Sequence, residues 1–170
     1  MAVEYKSAED VSFLSSLQER FPELVVTHPE RGMPIVSVPA PMLLEVVRFL
    51  HDDPSCDFKF LDNVTSVDRL DHFEVVYHLF SISHGHAVAL KSTISRETPT
   101  ISSVTSVWRG ANLQEREVYD LMGIEFAGHP DLKRVLLWEG FEGHPLRKDF
   151  RQQSPEVLAH SLLRRKDETR

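Results

Sequence analysis

The ten residues from Phe73 to Ile82, Phe-Glu-Val-Val-Tyr-His-Leu-Phe-Ser-Ile, are apolar in nearly every position of both alternating sets. A strand that is apolar on both faces has to be covered on both, so this run predicts a central strand of a sheet. Ser83-His84-Gly85-His86 then supplies a turn, and Val88, Leu90 and Ile94 recur with the period that places them on one face of a following strand. Upstream, Phe58, Phe60, Asp62 and Val64 alternate with Lys59, Leu61, Asn63 and Thr65, which predicts a third strand leading into the other two.

The segment before these strands supplies helices and a hairpin. Ser7-Ala8-Glu9-Asp10 reads as a capping box, and Val11, Leu14, Leu17 and Phe21 follow at near-helical spacing, so a first helix is predicted to end before Pro22. Leu24-Val25-Val26 and Ile35-Val36-Ser37-Val38 flank Pro29-Glu30-Arg31-Gly32, two β-branched runs punctuated by turn residues. Pro39-Ala40-Pro41 stops the second run and starts a helix carrying Leu43, Val46, Val47 and Leu50 on one face, ended by Asp52-Asp53-Pro54. The order α-β-β-α-β-β-β predicts an α+β fold, a two-layer sandwich with helices on one side of a sheet, over residues 1–97.

Beyond Thr98-Pro99-Thr100 the character changes. Asn112 can cap a short helix with Glu115 at its third position, and Gly123 stands where a left-handed residue ends it. Ile124 to Phe150 is rich in Gly, Pro and charge, and its Phe126, Leu132, Leu136, Leu137, Trp138, Phe141 and Phe150 follow no sustained period. Such a stretch is too apolar for a solvated linker, so residues 98–152 read as a signature helix plus an extended arm ordered against a partner. Residues 153–170 form a tail, with a short helix predicted from about Pro155 to Arg165.

Charge and chemistry narrow the function. A net charge of −7 argues against a general nucleic-acid binder. Residues 1–112 hold 9 Lys/Arg against 15 Asp/Glu and residues 113–170 hold 10 against 11, so the last third is densely charged but balanced, as a protein-facing surface would be. No apolar run reaches the roughly 20 residues that cross a bilayer, and the start Met1-Ala2-Val3-Glu4 lacks a signal-peptide plan. The expected location is cytoplasmic. The single cysteine, Cys56, cannot hold an iron–sulfur cluster alone, and there is no Gly-x-Gly-x-x-Gly, no phosphate loop and no Cys-x-x-Cys.

His84 and His86 read as an exposed turn with no third metal ligand beside them. His129 and His144, in the matching contexts Gly128-His129-Pro130 and Gly143-His144-Pro145, read as structural or interface groups, with a free-standing His-metal enzyme as the rival from another class. No serine sits on a nucleophile elbow. Glu115, Glu117 and Asp120 with Arg116 read as a charged helix face, with Arg116 and Asp120 spaced as an i, i+4 pair.

The stretch Glu115-Arg116-Glu117-x-x-Asp120-Leu121-Met122, then His129, Lys133 and Val135-Leu136, resembles the signature of the thirty-kilodalton subunit family of respiratory complex I, whose bacterial members are the C subunits. Ser103-Val104-Thr105-Ser106-Val107-Trp108 leads into it and Glu142-Gly143-His144-Pro145-Leu146-Arg147-Lys148-Asp149-Phe150 closes it, while Asp57-Phe58-x-Phe60-Leu61 and Phe73 to Leu79 are similar to the family's strands. The resemblance runs from about residue 57 to 151. It implies a cofactor-free peripheral-arm subunit on the cytoplasmic side of the membrane, packed on the quinone-site (D) subunit and near the B subunit. The whole complex would carry FMN and iron–sulfur centres and pass electrons from NADH to quinone while pumping protons. The interface residues it implies are Trp108, Glu115, Arg116, Glu117, Asp120, His129, Arg134, His144, Arg147 and Asp149, with no catalytic residue. The homologous subunits of membrane-bound hydrogenases, formate hydrogenlyase and F420H2 dehydrogenase are similar over the same motifs.

Overall fold

In a computed structural model of the chain, which describes residues 12–30 and 32–151, β4 (His72–Ser81) lies inside a five-stranded sheet. The sheet runs β1 (Val25–Thr27), β2 (Ile35–Ser37), β5 (His86–Ser95), β4, β3 (Phe60–Asp68). β1 and β2 form the expected antiparallel hairpin, β2 runs parallel to β5, and β3, β4 and β5 are antiparallel neighbours.

Two details differ from expectation. The middle of the sheet belongs to β5, not β4. β4 alternates strictly, burying Phe73, Val75, Tyr77, Leu79 and Ser81 and leaving the other face half-buried. Continuous burial is found instead in the first half of β5, His86 to Leu90, where small Ala87 and Ala89 lie between β2 and β4. In β3 the pairing register shifts between Leu61 and Asn63, so Leu61 and Val64 are both buried while Phe60 is 48% exposed. A bulge of this kind breaks the two-residue alternation that put Phe60 and Val64 together.

The helices cover one face. α1 (Ser12–Arg20) contributes Phe13, Leu14 and Leu17, with Phe21 just beyond; its expected cap at Ser7 lies outside the described residues. Pro39 precedes a single 3₁₀ turn, Ala40–Met42, that leads into α2 (Leu43–Asp52), whose Leu43, Val46, Val47 and Leu50 are all buried as predicted. These side chains share one core with the inward residues of β4 and β5.

That core continues past residue 97. β6 (Thr100–Ser102) and β7 (Glu125–Ala127) form a parallel pair on either side of α3 (Ala111–Met122), a unit absent from the predicted order. Ile101, Val104, Trp108, Ala111, Val118, Met122, Ile124 and Phe126 join the same apolar cluster. α3 packs against the edge strand β3, and the Gln114 side-chain carbonyl accepts the Val64 N–H that the edge would otherwise present to solvent. The tail helix predicted near Pro155 to Arg165 lies outside the described residues.

Candidate functional site

α3 begins after Gly110, without a side-chain cap, so Asn112 is its second residue and not the predicted cap. Glu115 therefore falls a full turn inside the helix, pointing into the core with no exposed surface. Its Oε2 accepts the Ser103 hydroxyl at 2.7 Å and its Oε1 accepts the Val104 N–H at 2.7 Å, which fastens the turn after β6 to the helix. Burial pushes its carboxyl up to about 7 against the pull of those two hydrogen bonds. The buried Tyr77 phenol is raised too, by burial first and by the Glu115 charge second. Close by, Trp108 is buried and its indole N–H donates to the Phe58 carbonyl at 3.2 Å, tying the same turn to the start of β3.

One helical turn later, Asp120 is also fully buried. A single carboxylate oxygen, Oδ2, accepts three successive backbone N–H groups: Val135 at 3.0 Å, Leu136 at 2.8 Å and Leu137 at 2.9 Å. Burial would raise its pKa, but the three N–H donors and the Arg134 guanidinium, 3.4 Å from Oδ1, hold the carboxyl below its usual range. Arg116 complements this grip. Its Nε donates to the Lys133 carbonyl at 3.0 Å and its Nη2 to the Arg134 carbonyl at 3.2 Å. One anion holds donors and one cation holds acceptors, and residues 133–137 are fixed along the helix.

The last carbonyls of an α-helix lack intrahelical partners. Here the arm supplies them in sequence: Asp120 O accepts from His144 Nδ1 at 2.9 Å, Leu121 O from the Leu146 N–H at 3.1 Å, Met122 O from Arg147 Nε at 2.6 Å and Gly123 O from Arg147 Nη2 at 3.3 Å. Gly123 has φ +67°, and a Cβ there would lie 2.4 Å from His144 Nε2 and 2.6 Å from Arg147 Nη2. It meets both the left-handed turn and the close approach. His144 sits with a lowered pKa because burial disfavours its cation, reinforced by Arg147 and Arg134 and opposed by Asp120. At the arm's start, His129 Nδ1 accepts the Asp131 N–H, which leaves Nε2–H to donate to the Asn112 carbonyl at 3.1 Å.

The model of the family described as respiratory-chain NADH dehydrogenase, 30 kDa subunit, matches residues 36–156. The NADH-quinone oxidoreductase C subunit of Roseiflexus castenholzii is 42% identical, with 88% of each chain covered, and that of Moorella thermoacetica is 43% identical over 84% of this chain and 96% of its own length. A trypsin-resistant fragment of Nqo5 superposes with a TM-score of 0.60 at 30% identity, covering 71% of this chain and 96% of the fragment. The chain belongs to the 30 kDa subunit family. An archaeal membrane-bound sulfane sulfur reductase also superposes, with a TM-score of 0.71 and 88% of each chain covered, but at 22% identity this shows a shared fold alone.

The signature residues of this 30 kDa family chain thus turn mostly inward. Trp108, Glu115 and Asp120, expected at an interface, are buried with partners inside the chain. The predicted Arg116–Asp120 pair does not form, because each has a better partner on the arm. Nor do the three acidic residues share a face: Glu117 is exposed while Glu115 and Asp120 are buried. Arg134 and Arg147 bond to backbone carbonyls, and Asp149 pairs with Arg96 at 2.8 Å.

Among its exposed charges, Asp131, Lys133, Glu139, Glu142, Lys148 and Asp149, the arm also exposes large apolar side chains. Leu136 and Leu146 are 61% and 60% exposed, and Leu113, Val135 and Trp138 are exposed beside polar neighbours. Among the described residues no three His, Cys, Asp or Glu side chains are grouped as metal ligands, and His129 and His144 are each engaged with a helix carbonyl. Of the turn histidines, His84 is exposed but His86 is buried, stacked on it and packed on Phe13. Cys56, the single cysteine, is buried, so the residues present do not fit an iron–sulfur cluster.

Proposed function

We propose that this chain serves as the C subunit of a proton-pumping NADH:quinone oxidoreductase, and that it works by presenting a rigid docking arm and not by chemistry of its own. The observation that carries the reading is the combination in residues 113–146: exposed Leu113, Val135, Leu136, Trp138 and Leu146 on a backbone fastened at 133–137 and 146 by Asp120, Arg116 and the end of α3. Apolar side chains held in place before docking lose little freedom when a partner covers them. A patch of this kind at the surface marks a contact site.

The partners we assign are the quinone-site (D) subunit and the B subunit, with Glu117, His129 and Asp149 at the polar margin of the contact. Trp108, Glu115 and Asp120 act one step back, as positioning residues. NADH oxidation at FMN, transfer through iron–sulfur centres and quinone reduction belong to other subunits, and no prosthetic group is assigned to this chain. No helix among the described residues is long and apolar enough to cross a membrane. In this reading the chain attaches to the cytoplasmic side of the membrane through the complex.

Affinity purification of the tagged full chain from its native cell, with the accompanying proteins identified by mass spectrometry, tests this. An NADH-oxidising flavin module is expected among them. A hydrogenase-type or F420H2-oxidising module in its place would assign the chain to a related machine, and a monomer with a stoichiometric bound metal would overturn the docking role. Arg116→Ala is expected to lower the amount of assembled complex while leaving NADH oxidation by the flavin module unchanged.

A further inference from the structure

The arm meets the rest of the chain at a second place, away from α3. We propose that Asp68, Arg96 and Phe73 form a releasable clasp on residues 147–149, so that this end of the arm opens as a strap while the α3 end stays anchored.

Asp68, the last residue of β3, is 4% exposed. Its Oδ2 accepts the Lys148 N–H at 2.8 Å, across 80 residues of sequence, while its Oδ1 accepts the Leu70 N–H at 2.8 Å and faces Arg96. Arg96 reaches on to Asp149 at 2.8 Å. Both arginines lie over the Phe73 ring, with the guanidinium carbon of Arg96 4.9 Å and that of Arg147 5.1 Å from its centroid. An aromatic face attracts a cation, and one ring here holds two that would otherwise repel. Asp68, Arg96 and Phe73 come from the ends of three different strands, so the clasp forms only after the sheet does.

The two anchorages differ in kind. At α3 the arm has three N–H groups on one buried carboxylate, two carbonyls on Arg116 and four helix carbonyls taken by residues 144–147. Among the described residues, it has at the clasp one backbone hydrogen bond, one ion pair whose Asp149 side chain is 62% exposed, and one cation–ring contact. Lys148 and Asp149 are exposed, and the half-buried Phe150 that follows stacks on Phe141 of the arm itself. Segments held by few buried contacts and by solvent-reachable hydrogen bonds are the ones that open locally. Arg147 belongs to both anchorages and serves as the hinge. Opening would free Lys148, Asp149 and Phe150 to exchange a self-contact for another. The clasp is a property of the chain alone and stands or falls independently of the docking reading.

Amide hydrogen exchange on the full chain tests the clasp. In Arg96→Gln the Lys148 amide is expected to exchange at least about tenfold faster, while the Val135, Leu136, Leu137 and Leu146 amides change by less than about threefold. Asp149→Asn, at an exposed position, is expected to give a smaller acceleration confined to the same end, about threefold. Acceleration of residues 135–137 together with Lys148 would show one cooperative unit and overturn the proposal. So would an unchanged Lys148 amide in both variants.

Discussion

Glu115→Gln is expected to remove a pH dependence of stability that the buried carboxyl builds into the fold. Folded, Glu115 titrates at about 7; the ordinary value, taken for the unfolded chain, is 4.5. The folded state therefore binds the extra proton between those two values. Its stabilising contribution is fully present below 4.5, declines as pH rises through the interval and is gone above about 7. At 1.36 kcal/mol for each pKa unit, the total is about 3 kcal/mol, of which about 2 to 3 kcal/mol is lost between pH 5 and pH 8. Asp68, at about 2, and Asp120, also lowered, act in the opposite direction, gaining stability as pH rises, but mostly below this interval. His144, whose pKa is lowered from 6.5, also opposes it, since stability is lost there as pH falls. Wild type and variant share those groups, so the difference between their urea-unfolding free energies isolates Glu115. Relative to wild type, the Gln variant gains about 2 to 3 kcal/mol on going from pH 5 to pH 8, because an amide has no proton to lose. Parallel profiles for the two proteins would refute the assignment of a proton-retaining carboxyl at this position.

Asp120→Asn leaves three backbone donors with an uncharged acceptor; bonds to charged groups contribute about 1.5–3 kcal/mol and neutral ones about 0.5–1.5, so the three bonds together lose about 3–4.5 kcal/mol. The check is faster hydrogen exchange at residues 135–137 with the β4 and β5 amides unchanged. Gly123→Ala places a side chain in a left-handed residue, at about 1–2 kcal/mol, and drives a Cβ into His144, 2.4 Å from Nε2. The Tm is expected to fall, and to fall less when His144→Ala is combined with it, a coupling that a double-mutant cycle measures. Trp108→Phe keeps most of the buried ring and loses the bond to the Phe58 carbonyl, for about 1 kcal/mol in denaturant unfolding.

Where the chain follows a local period, the structure agrees with the sequence. The apolar face of α2, the hairpin across Pro29 and Gly32, and the left-handed Gly123 each depend on residues within a turn or two of one another. The bulge in β3 was not legible, because nothing in Phe-Leu-Asp-Asn-Val marks an extra residue. β6 and β7 are three residues long, too short for any alternation to register, and they pair across the whole of α3. The carboxylates misled for a different reason. Glu115 and Asp120 look like surface charge on a helix, and their burial depends on partners far along the chain, among them backbone N–H groups 11 and 15–17 residues away. Asp68 and Arg96 gave no signal at all, since the strand ends that bring them to Lys148 and Asp149 are set by the sheet.

The same geometry explains why the family signature is written largely in inward-facing residues. Helix α3 and the two segments bonded to it, 133–137 and 144–147, form the frame through backbone bonds, and the exposed Leu136 and Leu146 side chains project from it. Leu136→Asp separates the two roles. The isolated variant is expected to unfold at the wild-type denaturant midpoint, while native mass spectrometry of the complex purified from cells carrying it shows loss of the assembled peripheral arm. Assembly at the wild-type level with a charge at that position would contradict the docking role of the arm.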